Sequence, residues 1–170
     1  MPKCVIVEGP DGAGKSTLLK KLERYLGKPV YHTGGPVDSE TMFLKKLHEA
    51  EDRMGSHLLD RTPHISEPIY ARAGSRRAFL PEHELHERLR ENNPVVVYCR
   101  LSSMATMFRN MDRGKKAHKS PEHLAEVMRN YKAIVEDYDL TMSDLRAKGI
   151  TVIRYDWEID DLARLVEALS

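Results

Sequence analysis

Gly9-Pro10-Asp11-Gly12-Ala13-Gly14-Lys15-Ser16 decides the reading of this chain. It fits G-x-x-x-x-G-K-[ST], the signature of a phosphate-binding loop. In such a loop glycines let backbone N–H groups turn toward phosphate oxygens, the lysine reaches the β- and γ-phosphates, and the hydroxyl is a ligand for Mg²⁺. Chance produces the pattern in about one chain of this length in 200. The flanks are those the motif requires. Cys4-Val5-Ile6-Val7 reads as a buried strand, and Leu18, Leu19, Leu22, Tyr25 and Leu26 form one helical stripe closed by Gly27. Gly12, Ala13, Gly14, Lys15, Ser16 and Thr17 are therefore expected to hold ATP, with Ser16 on Mg²⁺.

Composition narrows the class. A length of 170 residues suits a single domain over 1–170 with a large core. Lys and Arg number 27 against 26 Asp and Glu, so the net charge of +1 gives no global attraction to nucleic acid or membrane. No apolar run approaches a membrane span and no leader pattern is visible, so a cytoplasmic protein is expected. Cys4 and Cys99 fall in expected strands and read as core thiols of a reducing compartment. Nothing in the pattern separates a monomer from a homodimer.

Apolar runs alternate with helical patterns along the chain. Strands are expected at 4–7, 29–32, 57–60, 94–99 and 150–155, and helices near 15–26, 39–52, 81–91, 121–145 and 160–169. Ser120 suits the N-cap and Pro121 the first position of the long helix, whose apolar face runs through Leu124, Val127, Met128, Tyr131, Ile134, Val135 and Tyr138. This alternation predicts a three-layer α/β fold, a five-stranded parallel sheet flanked by helices, with ligands outside the carboxyl ends of the strands. Leu58-Leu59-Asp60-Arg61 places an acid and an arginine at one such end. Beside a phosphate loop, the carboxylate can hold Mg²⁺ through water or accept a proton, and the arginine can grip a phosphate bidentately.

Glu8 to Thr17 resembles the phosphate loop of thymidylate kinases. The resemblance extends to the Gly-Gly turn at Thr33-Gly34-Gly35-Pro36, to Asp60, Arg61, Ser66 and Tyr70, and to Arg109 and Arg113 in the position of a mobile lid over about 109–120. In style the chain is similar to small members encoded by bacteriophages, for which the compartment is the host cytoplasm. It departs from the family where Tyr31-His32-Thr33 replaces an Arg-Glu-Pro, where one extra residue separates Asp60 from Ser66, and in its shorter length. These departures surround the acceptor and not the ATP.

The resemblance implies roles. Asp11 would receive the acceptor's sugar hydroxyl, Arg109 would stack on adenine, and Asp156 and Trp157 would lie beside the adenine pocket, with a core position as the alternative for Trp157. The segment from Arg109 to Lys119 carries five Lys or Arg and one Asp, a local charge of +4. Phosphoryl transfer needs a cation near the γ-phosphate, and Gly12 and Ala13 supply none, so Arg113 is the expected finger, with Lys115 or Lys116 as alternates. Tyr70 and Arg72, with Arg76 or Arg77, are candidates for the acceptor's phosphate or base. Glu67 is a candidate for Mg²⁺ or a sugar hydroxyl. His32 is either acceptor-facing or a plain strand-end histidine.

Three functions follow from this reading. The first is an ATP- and Mg²⁺-dependent kinase acting on a deoxynucleoside monophosphate, dTMP or a modified dUMP. The second is a kinase acting on a hydroxyl in DNA, a 5′ end or a 5-hydroxymethyluracil base. The third is a nucleotide-binding switch or motor ATPase, which would show an ordinary Walker-B acidic pair and partner-binding insertions.

Overall fold

A computed structural model describes residues 4–113 and 121–170, excluding the side chains of His123 and Leu124. Lys115, Lys116, Ser120 and the Leu124 side chain therefore lie outside the described residues. Five parallel strands form one sheet: β1 (Cys4–Glu8), β2 (Val30–His32), β3 (Leu58–Asp60), β4 (Pro94–Cys99) and β5 (Thr151–Tyr155), in the order β2-β3-β1-β4-β5. Seven helices are described: α1 (Lys15–Leu26), α2 (Glu40–Arg53), α3 (Pro63–Ala73), α4 (Glu82–Glu91), α5 (Met104–Arg113), α6 (Pro121–Ala147) and α7 (Leu162–Leu169).

β1 and β4 are buried at every position, as strands covered on both faces must be. Val5, Val7, Val95 and Val97 face one core with Leu18, Leu19 and Leu22 of α1, while Ile6, Leu59, Val96 and Tyr98 face a second with Tyr138 and Met142 of α6. Cys4 and Cys99 are buried free thiols. β1 pairs with β3 on one side and β4 on the other, so the chain reverses its direction of travel at β1. A loop leaving the carboxyl end of β1 thus lies at the switch point of the sheet, where a doubly wound fold opens its ligand crevice.

Two helices depart from the expected pattern. α3 carries Pro63 at its start and Pro68 inside it, and the interior proline lacks the N–H that the His64 carbonyl would receive. Buried Ile65 and Ile69 hold it in helical form all the same. α5 packs Met104, Met107, Phe108 and Met111 against the first core at helical spacing.

A polar weld joins α2, α3 and α4 behind the site. Glu51 accepts from Arg88 Nε and Nη2 at 2.9 and 2.8 Å and lies 3.1 Å from His64 Nε2. Burial lowers the His64 pKa and so favours the neutral ring; the tautomer with Nε2–H toward the carboxylate and Nδ1 accepting from the Thr62 hydroxyl, 2.7 Å away, satisfies both contacts. Burial would raise the Glu51 pKa, but the hydrogen bonds from His64 and Arg88 outweigh it and hold the carboxyl at about 2, against an ordinary 4.5. The folded chain binds fewer protons than the unfolded one between these values. The stabilisation is complete above about pH 4.5 and is lost as pH falls through about 2. Glu51→Gln is expected to lower stability by about 2 kcal/mol at pH 7 and by progressively less below pH 4.5. Urea unfolding at pH 7 and pH 3 checks this, and an equal deficit at both pH values would contradict it.

Candidate active site

The loop from Gly9 to Gly14 joins β1 to α1 and cannot carry larger residues at its turns. Gly12 has φ 80°, and a Cβ there would stand 2.0 Å from the Met107 carbonyl oxygen. Gly14 has φ 88°, and its Cβ would stand 2.7 Å from the Trp157 ring. Gly14 is also the N-cap of α1, and having no side chain it cannot cap the first-turn amides, which stay available to an anion. Lys15 is buried, and its Nζ donates to the Pro10 carbonyl at 2.7 Å, folded over the loop. Burial lowers its pKa and nearby Arg61 adds to this, with Asp11, Cys99 and Glu8 opposing.

Two cavities open on this loop. The first, about 660 Å³, is lined by Gly12, Gly14, Lys15, Ser16, Thr17, His32, Asp60, Asn110 and Trp157 among others. The second, about 590 Å³, is lined by Phe43, Lys46, Ser66, Glu67, Tyr70 and Arg76 among others. Asp11, Gly34, Gly35 and Arg61 line both. Arg61 Nη2 donates to Asp11 Oδ1 at 2.6 Å, and the guanidinium carbon lies 5.4 Å from the centre of the Tyr70 ring. A side-chain ion pair thus stands in the wall between two chambers, one beside the phosphate loop and one beside α3.

Most expected residues meet here. Ser16, Thr17 and Asp60 line the first cavity together, which suits a Mg²⁺ held by one hydroxyl and one carboxylate plus phosphate oxygens. Among the described residues there is no cluster of three or more His, Cys, Asp or Glu that could hold a metal by itself. Ser66 and Tyr70 line the second cavity, and Ser66 Oγ donates to the Thr62 carbonyl. Ala13 is buried in the core below the loop. Trp157 is no core residue: it is 48% exposed and its ring covers Gly14. Asp156 is buried and accepts from Ser102 and from the Glu158 amide, which makes it a turn organiser.

Other expected residues are placed differently from the roles implied for them. Arg72 reaches neither cavity, because Glu82 and Asp137 hold its guanidinium on the outer side of α3. His32 lines the first cavity and not the second; its Nδ1 lies 2.7 Å from Asp60 Oδ2, which turns the ring toward the strand end. Glu67 is bound at both oxygens by Arg76, at 2.6 and 2.9 Å, and lines the second cavity, while Asp60 lines the first. Arg109 and Arg113 are exposed on α5 and line neither cavity, while Arg109 reaches Thr106 Oγ1.

Two residues at the site escape the sequence reading. Lys46 of α2 donates to the carbonyls of Gly34 and Gly35 and lines the second cavity. In sequence it is one of many charges on a polar helix face. Asn110 of α5 donates to the Gly12 carbonyl at 3.2 Å and lines the first cavity. Its signal was the methionine and phenylalanine spacing that makes α5 a helix.

No protein-family model matches the sequence, and no curated protein matches it either. Solved structures do match. The chain is similar to the YorR protein of Bacillus subtilis in complex with phosphorylated GDP, with a TM-score of 0.71, 20% identity, and coverage of 97% of this chain and 92% of that one. It is similar to deoxyadenosine kinase from M. mycoides with bound dCTP, with a TM-score of 0.61, 16% identity and 96% of each chain covered. It is also similar to shikimate kinase from Acinetobacter baumannii in complex with shikimate, with a TM-score of 0.56, 16% identity, and coverage of 99% and 90%. At these identities the likeness is one of fold. The architecture is the three-layer α/β fold of P-loop kinases, with its phosphate loop at the switch point of the sheet. Among the described residues no helix is long and apolar enough to cross a membrane.

Proposed function

We propose that the chain is an ATP- and Mg²⁺-dependent phosphotransferase that converts a deoxynucleoside monophosphate to the diphosphate. The acceptor is a thymidylate-like pyrimidine nucleotide, dTMP or a modified dUMP, and the enzyme is of the compact thymidylate kinase type that phages encode. One observation carries this reading: two cavities of similar size meet at a shared wall of Asp11, Gly34, Gly35 and Arg61. A kinase needs donor and acceptor in separate chambers with the transferred group at their junction. A switch or motor ATPase needs only the first. The second cavity combines flat rings, Tyr70 and Phe43, with Lys46 and with Arg61 and Arg76, whose partners Asp11 and Glu67 also line it, a set suited to a base and, at Lys46, a phosphate. Proteins of this fold that carry phosphorylated GDP or dCTP support a nucleotide acceptor.

In this reading Lys15 and the amides at the start of α1 hold the β- and γ-phosphates of ATP. Ser16 and Asp60 are the residues that would hold Mg²⁺, which neutralises phosphate charge when bound. His32 orients the Asp60 carboxylate through their 2.7 Å contact. Arg61 faces both chambers and stabilises charge on the group in transit. The test is ADP formation with a panel of dTMP, dUMP, hydroxymethyl-dUMP, dCMP, dGMP, nucleosides, and modified and unmodified DNA. A pyrimidine monophosphate is expected to raise the rate about 100-fold or more above acceptor-free hydrolysis. No acceleration by any acceptor would overturn the proposal.

A kinase acting on DNA is kept as a second reading on one observation. Beyond Arg76 a groove of about 630 Å³ is lined by Arg72, Arg76 and Arg77 and by Glu40 and Glu82, three guanidiniums against two carboxylates, a weakly basic path that a longer polyanion would follow. Arg113→Ala separates the two. Although Arg113 lines neither cavity, the finger role implied by the resemblance requires that, with a mononucleotide acceptor, its loss lower kcat about 10³-fold while KM for ATP stays within a few-fold, because a finger acts on transition-state charge. Loss of Lys115 or Lys116 is then milder, since lysine cannot bridge two phosphate oxygens. On the DNA reading Arg113→Ala raises KM for DNA with steep salt dependence and leaves kcat unchanged. An unchanged kcat on every acceptor removes the finger role.

A further inference from the structure

Glu8 ends β1 and has no part in the chemistry so far described. Its side chain is fully buried, yet it makes three polar contacts. Oε1 accepts the Thr62 amide at 2.8 Å; Oε2 accepts the Gly9 amide at 3.3 Å and the Tyr138 hydroxyl at 3.2 Å. One carboxylate therefore ties together the entry to the phosphate loop, the turn after β3, and α6. A buried carboxylate is costly unless donors and opposite charge surround it, and here Lys15 and Arg61 supply that charge. Burial raises the Glu8 pKa, with Arg61, the Thr62 amide, Lys15 and the Gly9 amide opposing.

The turn it holds is strained. Arg61 has φ 65°, a left-handed conformation that non-glycine residues rarely adopt. Such a residue persists only where its surroundings over-determine it. Here β1 pins it on both sides: the Arg61 amide donates to the Val7 carbonyl at 2.9 Å, and the next amide, that of Thr62, donates to Glu8. The strained backbone sends the Arg61 side chain back toward Asp11 and into the wall between the cavities.

We propose that Glu8 is a positioning residue: through the Thr62 and Gly9 amides it fixes Arg61 against the phosphate loop, so that the guanidinium serves both cavities at once. The proposal rests on the phosphotransferase reading for its kinetic part and on geometry alone for the placement of Arg61. Glutamine at position 8 keeps the volume but has one acceptor oxygen for two backbone donors, so one amide loses its partner.

The experiment compares wild type, E8Q, R61A and E8Q/R61A, by steady-state kinetics with ATP and the best acceptor, and by NMR of the Arg61 side-chain Nε–H. E8Q is expected to lower kcat about 30-fold or more with KM for ATP within about threefold, since a misplaced group costs rate more than affinity. In the R61A background E8Q should change kcat by less than about threefold, because residues acting as a unit are not additive. The Arg61 Nε–H signal should shift or broaden in E8Q. Multiplying losses, an E8Q kcat equal to wild type, or an unchanged Arg61 signal would each overturn the proposal. If E8Q does not fold, Y138F removes one donor and keeps the ring; a smaller fall in kcat and a shifted Arg61 signal are expected, and an unmoved signal overturns the proposal. Wild type that turns over no acceptor defeats the phosphotransferase reading, and the Arg61 signal then decides the role of Glu8 alone.

Discussion

Replacing Lys15 by alanine is expected to reduce turnover by at least two decades, about 3 kcal/mol of transition-state stabilisation, in a protein that still folds. Lys15 lies in the first turn of α1, is buried, and reaches across the loop to the Pro10 carbonyl. Among the described residues the ammonium has that carbonyl and the surrounding charges to replace its water, and burial lowers its pKa. A phosphate chain on the loop would offer it full negative charge, so its larger contribution is to the ligand, beside its part in balancing the buried Glu8. Lys15→Ala should therefore fold with some loss of thermal stability, while ADP formation collapses. Near-normal turnover in a folded Lys15→Ala protein would remove the phosphotransferase reading.

Arg61→Ala is expected to lower kcat/KM for the acceptor by about 10²- to 10³-fold. Among the described residues Arg61 is the only arginine that lines both cavities. It is paired with Asp11 and packed over Tyr70, so its removal affects the junction from two sides. Arg61→Lys keeps the charge and loses the planar fork, so it should recover less than a tenth of the lost rate. The alanine variant keeps the two amide hydrogen bonds that hold φ 65°, so its backbone strain should match that of wild type. Unchanged kinetics would make Arg61 a structural residue of the strand end and would place the junction elsewhere.

The sheet was legible because its central strands are apolar throughout and its phosphate loop has a fixed context. β4 has the expected bounds, and the others shift by a residue at an end. α3 was not legible, because Pro63 and Pro68 break the pattern that Ile65 and Ile69 complete only in three dimensions. At the site, residues whose role depends on chain-local geometry were readable: Lys15, Ser16, Asp60 and Arg61 lie where their motifs put them. Residues chosen by side-chain reach were not. Arg72 and Arg76 are equally basic in sequence, and only the placement of Glu82, Asp137 and Glu67 sends one outward and the other to a cavity wall. Lys46 and Asn110 act on backbone carbonyls of glycines far away in sequence, a relation no spacing records.

In the proposed reaction a phosphoryl group passes from one cavity to the other across the Asp11–Arg61 wall. Its most direct test follows the label from γ-³²P-ATP through a single turnover with Mg²⁺ and a pyrimidine deoxynucleoside monophosphate in excess, with products separated by chromatography. The label is expected in the deoxynucleoside diphosphate, in step with ADP, and Arg61→Ala is expected to slow this transfer. Label appearing only as inorganic phosphate, at a rate indifferent to the acceptor, would contradict it.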